Sequence, residues 1–237
     1  MKPPMSQGAN SGVRPPIVAI DGPAASGKST VSREVARALG WTYVDSGALY
    51  RGITWKALRS GVPVRDAAAV QALLERAHWD FPLRDRTVVF TVDGENPGDA
   101  IRGPDVRESV SDIAALPCVR AFVSERLRDL RRYAPLVMEG RDIGTAVFPD
   151  ADFKFYLDAD PAERARRRAR DLAALEGAAD VAEVRASIER RDAKDSARRD
   201  APLRVAEDAQ VIDSTALSVE QVAARIVAAV RAGIGSA

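Results

Sequence analysis

The sequence predicts an α/β protein in which a parallel sheet of five strands is covered by helices on both faces. Short apolar runs alternate with helical patterns along the 237 residues, and a glycine-rich loop follows the first run. Such alternation favours parallel strands, because parallel neighbours must be joined by crossover connections, which are usually helices. The five predicted strands are 17–21, 42–45, 136–139, 153–158 and 210–213.

The loop after the first predicted strand has the spacing of a P-loop, in which a strand, a glycine turn and a helix follow one another. Its backbone N–H groups can surround phosphate oxygens, while Lys28 reaches the β- and γ-phosphates and Ser29 holds Mg²⁺. Val31 and Val35 give the following helix an apolar stripe, and Gly40 marks its end. The pattern predicts a nucleoside triphosphate site formed by Gly22, Pro23, Ala24, Ala25, Ser26, Gly27, Lys28, Ser29 and Thr30.

Residues 61–105 interrupt the alternation between the second and third predicted strands. A helical pattern over 67–77 is followed by the apolar run 87–92, which ends at Asp93-Gly94. The pair Asp-Gly is typical of a tight turn between antiparallel strands. We therefore expect an insert that carries a small antiparallel sheet.

Two arginine-dense segments, 163–170 and 190–200, follow the fourth predicted strand. Helical spacing puts Arg191, Asp195 and Arg198 on one face of the second segment. Phosphoryl transfer is catalysed largely by alignment and by cations that neutralise charge on the moving group. Arginines on a lid suit this task, since closure brings them in and excludes water.

The remaining local signals concern helix starts and the N-terminal tail. Pro161 favours the opening of a helix directly after the fourth strand. Ser218 and Gln221 have the spacing of a capping box, which predicts a closing helix. Residues 1–14 are rich in Pro, Gly and Ser without periodicity, and we expect a disordered tail there.

Composition narrows the classes of protein that fit. The 35 Lys and Arg residues nearly balance the 34 Asp and Glu residues, which argues against broad attraction to nucleic acid or to a membrane surface. No run approaches the ~20 apolar residues of a membrane span, and the first residues lack the apolar core of a signal peptide. A single cysteine, Cys118, fits a reducing compartment. We expect a cytoplasmic monomer.

Polar clusters follow the second and third predicted strands. Ser46 and Arg51 come after the second strand, and Glu139, Arg141 and Asp142 lie at the end of the third. In α/β sheets, ligands bind beyond the carboxyl ends of the strands. Guanidinium groups there suit bidentate phosphate contacts, so we expect these clusters to hold a second substrate beside the P-loop.

The motifs and their order resemble those of the bacterial cytidylate kinases, a family of the nucleoside-monophosphate kinase superfamily of P-loop proteins. The resemblance runs from Ile17 to the final helix. Its carriers are the P-loop segment 20–30, Asp-Ser-Gly-Ala-Leu-Tyr-Arg at 45–51, Glu-Gly-Arg-Asp-Ile-Gly-Thr-Ala-Val-Phe-Pro-Asp-Ala at 139–151, Arg-Arg-Asp-x-x-Asp-Ser-x-Arg at 190–198, Ala-Pro-Leu at 201–203 and Ile-Asp-Ser-Thr at 212–215.

The resemblance implies a kinase that moves the γ-phosphoryl group of ATP, bound with Mg²⁺, to CMP or dCMP. The products would be ADP and CDP or dCDP, in pyrimidine nucleotide salvage and recycling. The implied fold is that of the nucleoside-monophosphate kinases, with an acceptor-binding insert and a helical lid. The expected bounds are 15–60, 106–160 and 205–237 for the core, about 61–105 for the insert and about 161–204 for the lid.

Positions that match the family's motifs imply roles for individual residues. Arg167 or Arg168 would lie near ATP, and Glu139, where relatives often have Asp, would lie near Mg²⁺ and act through water. Some relatives have Gly in place of Ser29, so Thr30 is an alternative Mg²⁺ ligand. The implied catalytic residues are Lys28, Arg141, Arg191 and Arg198. The implied CMP site comprises Ser46, Tyr50, Arg51, Ser111, Arg120, Arg141, Asp142, Arg191, Asp195 and Arg198.

Within the implied CMP site, each part of the nucleotide has its own residues. Ser46, Arg51 and Arg141 match contacts to the phosphate, and Arg191 and Asp195 match contacts to the ribose. Cytosine has an N4 amino donor and N3 and O2 acceptors, which suit a carboxylate, a hydroxyl and a guanidinium. The matching residues are Ser111, Arg120 and Asp142.

Two alternatives remain open at the level of sequence. The first is another P-loop kinase that acts on UMP, AMP or a non-nucleotide acceptor such as shikimate. The second is a nucleotide-dependent binding or regulatory module that contacts RNA through its arginine segments. The near-zero net charge and the lack of aromatic residues within those segments argue against the second alternative.

Overall fold

The computed structural model describes residues 14–177 and 179–235, and residues 1–13 of the predicted tail lie outside this range. The strands are β1 (Ile17–Asp21), β2 (Thr42–Asp45), β3 (Trp79–Asp80), β4 (Leu83–Arg84), β5 (Thr87–Val88), β6 (Thr91–Val92), β7 (Leu136–Gly140), β8 (Phe153–Asp158) and β9 (Gln210–Asp213). The helices are α1 (Lys28–Leu39), α2 (Ser46–Arg59), α3 (Ala67–Arg76), α4 (Pro104–Ile113), α5 (Pro117–Asp129), α6 (Pro161–Glu176), α7 (Val181–Ser196) and α8 (Val219–Gly235).

The main sheet has the order β4-β5-β2-β7-β1-β8-β9, and the five predicted strands are parallel neighbours within it. The central strand β1 pairs with β7 from Ile17–Leu136 to Asp21–Gly140. Because β1, β2 and β7 end at the same edge, the loops that follow them meet there. The prediction of a five-stranded parallel core is confirmed.

The insert departs from the prediction, because part of it joins the main sheet. Tyr43 N donates to Arg86 O (2.7 Å), and Thr87 of β5 pairs with Tyr43 of β2. The hairpin β4–β5 thereby covers the edge of the parallel core and makes seven strands, since an edge strand offers unpaired backbone groups. A separate antiparallel pair, β3–β6, is the small sheet that was expected. Asp93 and Gly94 both have positive φ, as a two-residue hairpin turn requires.

The core has two apolar layers, one on each face of the sheet. Ile17 and Ala19 of β1 face the layer that contains α2, α3 and α5, while Val18 and Ile20 face the layer that contains α1 and α8. This alternation follows from the two-residue repeat of a strand. Helices therefore cover both faces, as predicted.

The segments after β8 form two helices that pack against each other and against the P-loop. Asp160 and Asp180 cap α6 and α7 by accepting from backbone N–H groups of the first turns. Ala24 of the P-loop packs with Ala169 and Ile188 of these helices in a small apolar cluster. The arginine-rich helices consequently lie over the phosphate-binding loop.

The closing helix begins with the predicted capping box. Ser218 N donates to Gln221 Oε1 (2.9 Å), and Gln221 N donates to Ser218 Oγ (3.3 Å). Val222, Ile226 and Val230 of α8 are buried against the sheet. Among the described residues, none of the helices is long and apolar enough to cross a membrane.

Candidate active site

The P-loop is shaped by two glycines that no other residue could replace without strain. A Cβ at Gly22 would lie 2.2 Å from Leu157 O, a backbone atom that cannot move away easily. Gly27 has φ +86° and forms the N-cap of α1, so the free N–H groups of the first helical turn face the loop. The loop therefore has the backbone geometry of an anion site.

Lys28 is the buried cation of this loop. Its Nζ donates to Pro23 O (2.9 Å), and its side chain is almost fully enclosed, with the residue 6% exposed. Burial, reinforced by the nearby Arg141, lowers the pKa of Lys28 to about 7, while Glu139 opposes the shift. A bound polyphosphate would supply the negative charge that balances this buried ammonium group.

Glu139 lies at the end of β7 beside the start of α1 and is 2% exposed. Tyr43 Oη donates to Glu139 Oε1 (2.8 Å), and the Ser29 hydroxyl also hydrogen-bonds to the carboxylate. Burial and the neighbouring Asp45 raise the pKa of Glu139, whereas Lys28 lowers it.

The donors around Glu139 fit Mg²⁺, which binds protein through one or two carboxylates and otherwise through substrate phosphates. Ser29 is half-buried against Glu139, whereas Thr30 is exposed. The geometry thus favours Ser29 over Thr30 as the hydroxyl donor. Within the described ranges, no cluster of three or more His, Cys, Asp and Glu side chains forms a ready-made metal cage.

The residues at the end of β2 and after it form a group of polar side chains beside the P-loop. Asp45 caps α2 by accepting from Ala48 N (2.9 Å) and pairs with Arg51 (2.7 Å). Burial alone would raise the pKa of Asp45, but Arg51 and the Ala48 N–H hold it below its ordinary value. Ser46 Oγ donates to Glu139 O (2.6 Å) and so joins the ends of β2 and β7.

A buried ion pair lies behind the loop that follows β7. Arg120 of α5 donates to the Asp142 carboxylate, and both side chains are almost fully enclosed. Burial raises the pKa of Asp142, and Arg120 opposes that shift. The Tyr50 ring lies 5.6 Å from the Arg120 guanidinium carbon. Sequence reasoning placed these three residues at the acceptor, and the structure brings them together.

Ser111 lies on α4. It is half-buried and lines a cleft of about 770 Å³ between α4 and the end of α7, together with Asp112, Lys194 and Arg198. Lys194 Nζ donates to Asp112 (3.2 Å), so α7, in the predicted lid, contacts α4 directly. Arg198 also lies in the field of Asp142 and Arg120, which connects the cleft to the ion pair.

Asp195 of α7 pairs with arginines of both the core and the predicted lid. It is 1% exposed and accepts from Arg141 Nε (3.1 Å) and from the guanidinium of Arg198. Burial and the nearby Arg141 lower the pKa of Arg191 to about 10. The four residues predicted from their motifs therefore converge at the carboxyl end of the sheet.

Arg167 and Arg168 lie on different sides of the lid helix. Arg167 donates to Ser214 O (2.7 Å) and lies 3.5 Å from Ser26 O, at the P-loop. Burial and then Arg107 lower the pKa of Arg168, with Arg51 among its further neighbours. Of the two alternatives expected near ATP, Arg167 is the one with a contact to the loop.

Sequence reasoning missed the contacts by which the lid holds the P-loop. Asp192 accepts from Ala24 N (2.9 Å) and pairs with Arg164, which donates to Ala24 O (3.1 Å). Asp192 and Arg164 were visible only as members of charged helical segments.

Sequence reasoning also missed the role of Asp21 at the end of β1. Asp21 accepts from Ile143 N and Gly144 N, both at 2.8 Å, and fixes the loop after Asp142. Burial raises the pKa of Asp21 to about 7. No sequence signal links it to partners more than 120 residues away.

Several buried donors in this crevice have no acceptor. In the part of the chain that the structure describes, Arg51 Nε, Arg191 Nε and Arg198 Nε are buried without a hydrogen-bond partner, as is Ser26 Oγ of the P-loop. Buried guanidinium N–H groups are costly to leave unpaired. Their convergence indicates a site built for an anionic ligand.

Comparison with known proteins matches residues 18–232 to the model of one family, described as cytidylate kinase. Among the relatives is a bifunctional pantoate ligase/cytidylate kinase of Synechococcus sp. strain WH7803, 50% identical over 211 residues, or 88% of this chain and 43% of the relative. A protein of the same description from Synechococcus sp. strain RCC307 is 49% identical over 220 residues, or 92% of this chain and 43% of the relative. The chain thus spans less than half the length of these curated relatives.

A solved structure, a shikimate kinase from Acinetobacter baumannii in complex with shikimate, aligns with 92% of this chain and 93% of its own. Its TM-score is 0.46 and its sequence identity is 17%. This likeness is too low to say anything of substrate.

Proposed function

Because the chain belongs to the cytidylate kinase family, we propose that it transfers the γ-phosphoryl group of ATP to CMP or dCMP. The products are ADP and CDP or dCDP, and the reaction returns cytidine monophosphates to the diphosphate pool in pyrimidine salvage and recycling. The single observation that carries the proposal is the set of buried Nε atoms of Arg51, Arg191 and Arg198, which lack a hydrogen-bond partner within the described residues.

The donor side of the site is the P-loop. ATP phosphates take the place of Pro23 O as the partner of Lys28, and Arg167 flanks the nucleotide from the lid. Ser29 and Glu139 would hold Mg²⁺, with Glu139 acting directly or through water. When bound, the metal ion neutralises charge on the β- and γ-phosphates.

The acceptor side lies across the carboxyl end of the sheet. Ser46, Arg51 and Arg141 bind the CMP phosphate, and Arg51 leaves Asp45 in part to do so. Asp142 accepts from the cytosine N4 amino group, and Arg120 and Ser111 donate to its ring acceptors. Arg191 and Asp195 contact the ribose. Arg120 lies against Asp142 and favours the ionised form of this carboxyl group.

Catalysis in this scheme needs no general base, because the attacking oxygen of the CMP phosphate is already an anion. Arg141, Arg191 and Arg198 surround the group in transfer and balance its charge. Closure of α6 and α7 over the P-loop excludes water, which would otherwise accept the phosphoryl group.

The test is an ADP-release assay with ATP, Mg²⁺ and a panel of acceptors: CMP, dCMP, UMP, AMP, GMP and shikimate. We expect turnover with CMP and dCMP that exceeds turnover with the others at least about 100-fold, since a site that pairs with polar edges rejects ligands lacking them. Preference for another acceptor would overturn the roles of Ser111, Arg120 and Asp142. Silence on every acceptor would favour a nucleotide-dependent binding module instead.

The proposal also covers the oligomeric state and the cellular location of the protein. We also propose that the protein acts as a monomer, in the cytoplasm, on free nucleotides. Analytical ultracentrifugation with and without ATP and CMP tests the monomer, and a dimer that dissociates with loss of activity would contradict it.

A further inference from the structure

Tyr43 occupies an unusual place in the sheet. It lies on β2 opposite Val137 of β7, two residues before Asp45 and on the same face of the strand. The residue is only 4% exposed, and its ring belongs to the apolar layer that contains Val31 and Val35 of α1. A tyrosine in such a place must find a partner for its hydroxyl, because an unpaired buried O–H is costly.

The partner of the Tyr43 hydroxyl is Glu139. The Oη donates to Glu139 Oε1 at 2.8 Å, from inside the apolar layer toward the edge where β7 ends. The Ser29 hydroxyl reaches the same carboxylate from α1, and Lys28 lies nearby. Glu139 is thus held from the sheet on one side and meets the P-loop on the other.

A glutamate at this position needs such an anchor more than an aspartate would. Its additional methylene group adds a rotatable bond, and the like charge of Asp45 favours movement of the carboxylate away from β2. The hydrogen bond from Tyr43 removes that freedom. Partners that fix the ligands of a metal ion are as much part of a metal site as the ligands themselves.

We propose that Tyr43 is a positioning residue that orients Glu139 toward the Mg²⁺ of the bound nucleotide. This inference rests on the proposed function, in which Glu139 and Ser29 hold that ion. In the proposed complex, Tyr43 itself contacts neither ATP nor CMP. Its effect is therefore on the metal-dependent part of nucleotide binding and not on contacts with the phosphates.

The experiment measures the affinity for ADP by calorimetry, once in EDTA and once in excess Mg²⁺, for the wild type and for Tyr43→Phe. The ratio of the two dissociation constants reports the contribution of the metal ion. We expect Tyr43→Phe to lower that ratio about ten-fold, the lower end of what such supporting partners contribute, and to leave the affinity in EDTA unchanged. The control is Tyr133→Phe, which removes a comparable hydrogen bond, from Tyr133 Oη to Phe81 O (2.9 Å), outside the site.

A double-substitution series separates the possible failures. Glu139→Asp withdraws the carboxylate from Tyr43, so adding Tyr43→Phe in that background should cause no further loss. Equal loss of affinity with and without Mg²⁺ would show that Tyr43 only supports the fold, and would overturn the inference. If Glu139→Gln leaves the ratio unchanged, the metal role of Glu139 falls and the inference with it. Transfer to CMP by the wild type, measured in parallel, tests the proposed function independently.

Discussion

At the scale of residues, the crevice is defined by cations that lack a full set of partners. Lys28 is buried with only a carbonyl as its hydrogen-bond acceptor, and Arg51 and Arg191 each keep a buried Nε without one. These groups reduce the stability of the fold, because buried charge is costly unless it is neutralised. In the proposed function, a bound phosphate would stabilise the same groups. Its binding energy would therefore act at the atoms whose charge changes during phosphoryl transfer.

We expect Lys28→Met to reduce turnover at least about 100-fold while leaving the dissociation constant for CMP unchanged. The ammonium contacts only the donor phosphates in the proposed scheme, and removing one such charge typically costs a few kcal/mol in the transition state. Steady-state kinetics and calorimetry measure the two quantities. Lys56→Met is the matched control, since Lys56 pairs with Asp93 outside the crevice (2.6 Å). Parallel loss of turnover and CMP affinity would contradict the role given to Lys28.

At the scale of elements, the lid is tied to the P-loop by a specific contact and not by apolar packing alone. Asp192 of α7 binds Ala24 N, and its ion-pair partner Arg164 of α6 binds Ala24 O. Helices α6 and α7 thus both contact the backbone of the same P-loop residue. The position of the lid depends on this pair, because the apolar cluster between lid and loop is small.

We expect Asp192→Ala to make the lid helices at least about ten-fold more sensitive to trypsin, which cuts after arginine. Arg164 is almost fully enclosed, and leaving such a charge without its carboxylate costs up to about 3–5 kcal/mol, enough to favour local opening of α6 and α7. The rate of appearance of lid fragments in mass spectrometry is the measurement. Glu189→Ala provides the control on the same helix, since Glu189 only pairs with the exposed Arg185 (2.8 Å). Equal cleavage rates for the two variants would rule out the contact as the tie.

At the scale of the whole molecule, the site depends on how tightly the central strand is connected to the loop after β7. Asp21 ends β1, and its two bonds to Ile143 N and Gly144 N fix the segment that carries Arg141 and Asp142. A displacement of β1 would therefore reach both the P-loop and the acceptor site. The carboxylate that makes this connection is itself fully buried, which makes global stability dependent on pH.

Burial raises the pKa of Asp21 to about 7 in the folded protein, against about 3.9 in an unfolded chain. Between these values the folded state binds the additional proton. The contribution of Asp21 to stability is therefore present below about pH 4 and is lost as pH rises toward 7, by up to about 1.4 kcal/mol per pH unit.

Urea unfolding of the wild type and of Asp21→Asn at pH 5, 6 and 7 tests this expectation. The difference between the two unfolding free energies should shrink as pH rises, because only the wild type loses this proton. Titratable groups remote from Asp21 titrate equally in both proteins and cancel in the difference. A difference that is constant, or that grows with pH, would show that Asp21 is ionised throughout.

The sequence predicts those parts of the site that depend on neighbouring residues, and fails where contacts are distant. The P-loop and the Ser218 capping box are contiguous patterns, and the structure has both. The joining of β5 to β2 was missed, because two-residue strands have no detectable period. Asp192 on Ala24 was missed for a related reason: a carboxylate on a charged helix looks solvated until its partner, 168 residues away in the chain, is known.

Three arginines of the crevice pair with carboxylates of the same chain: Arg51 with Asp45, and Arg141 and Arg198 with Asp195. A ligand consequently enters by exchange, replacing one negative partner by another, and not by meeting bare positive charge. A singly charged carboxylate offers these guanidinium groups nothing that they do not already have. A phosphate carries up to two negative charges on three oxygens, so we expect it to displace the carboxylates from the guanidinium groups. We therefore expect the internal carboxylates to compete with monoanionic metabolites for these guanidinium groups.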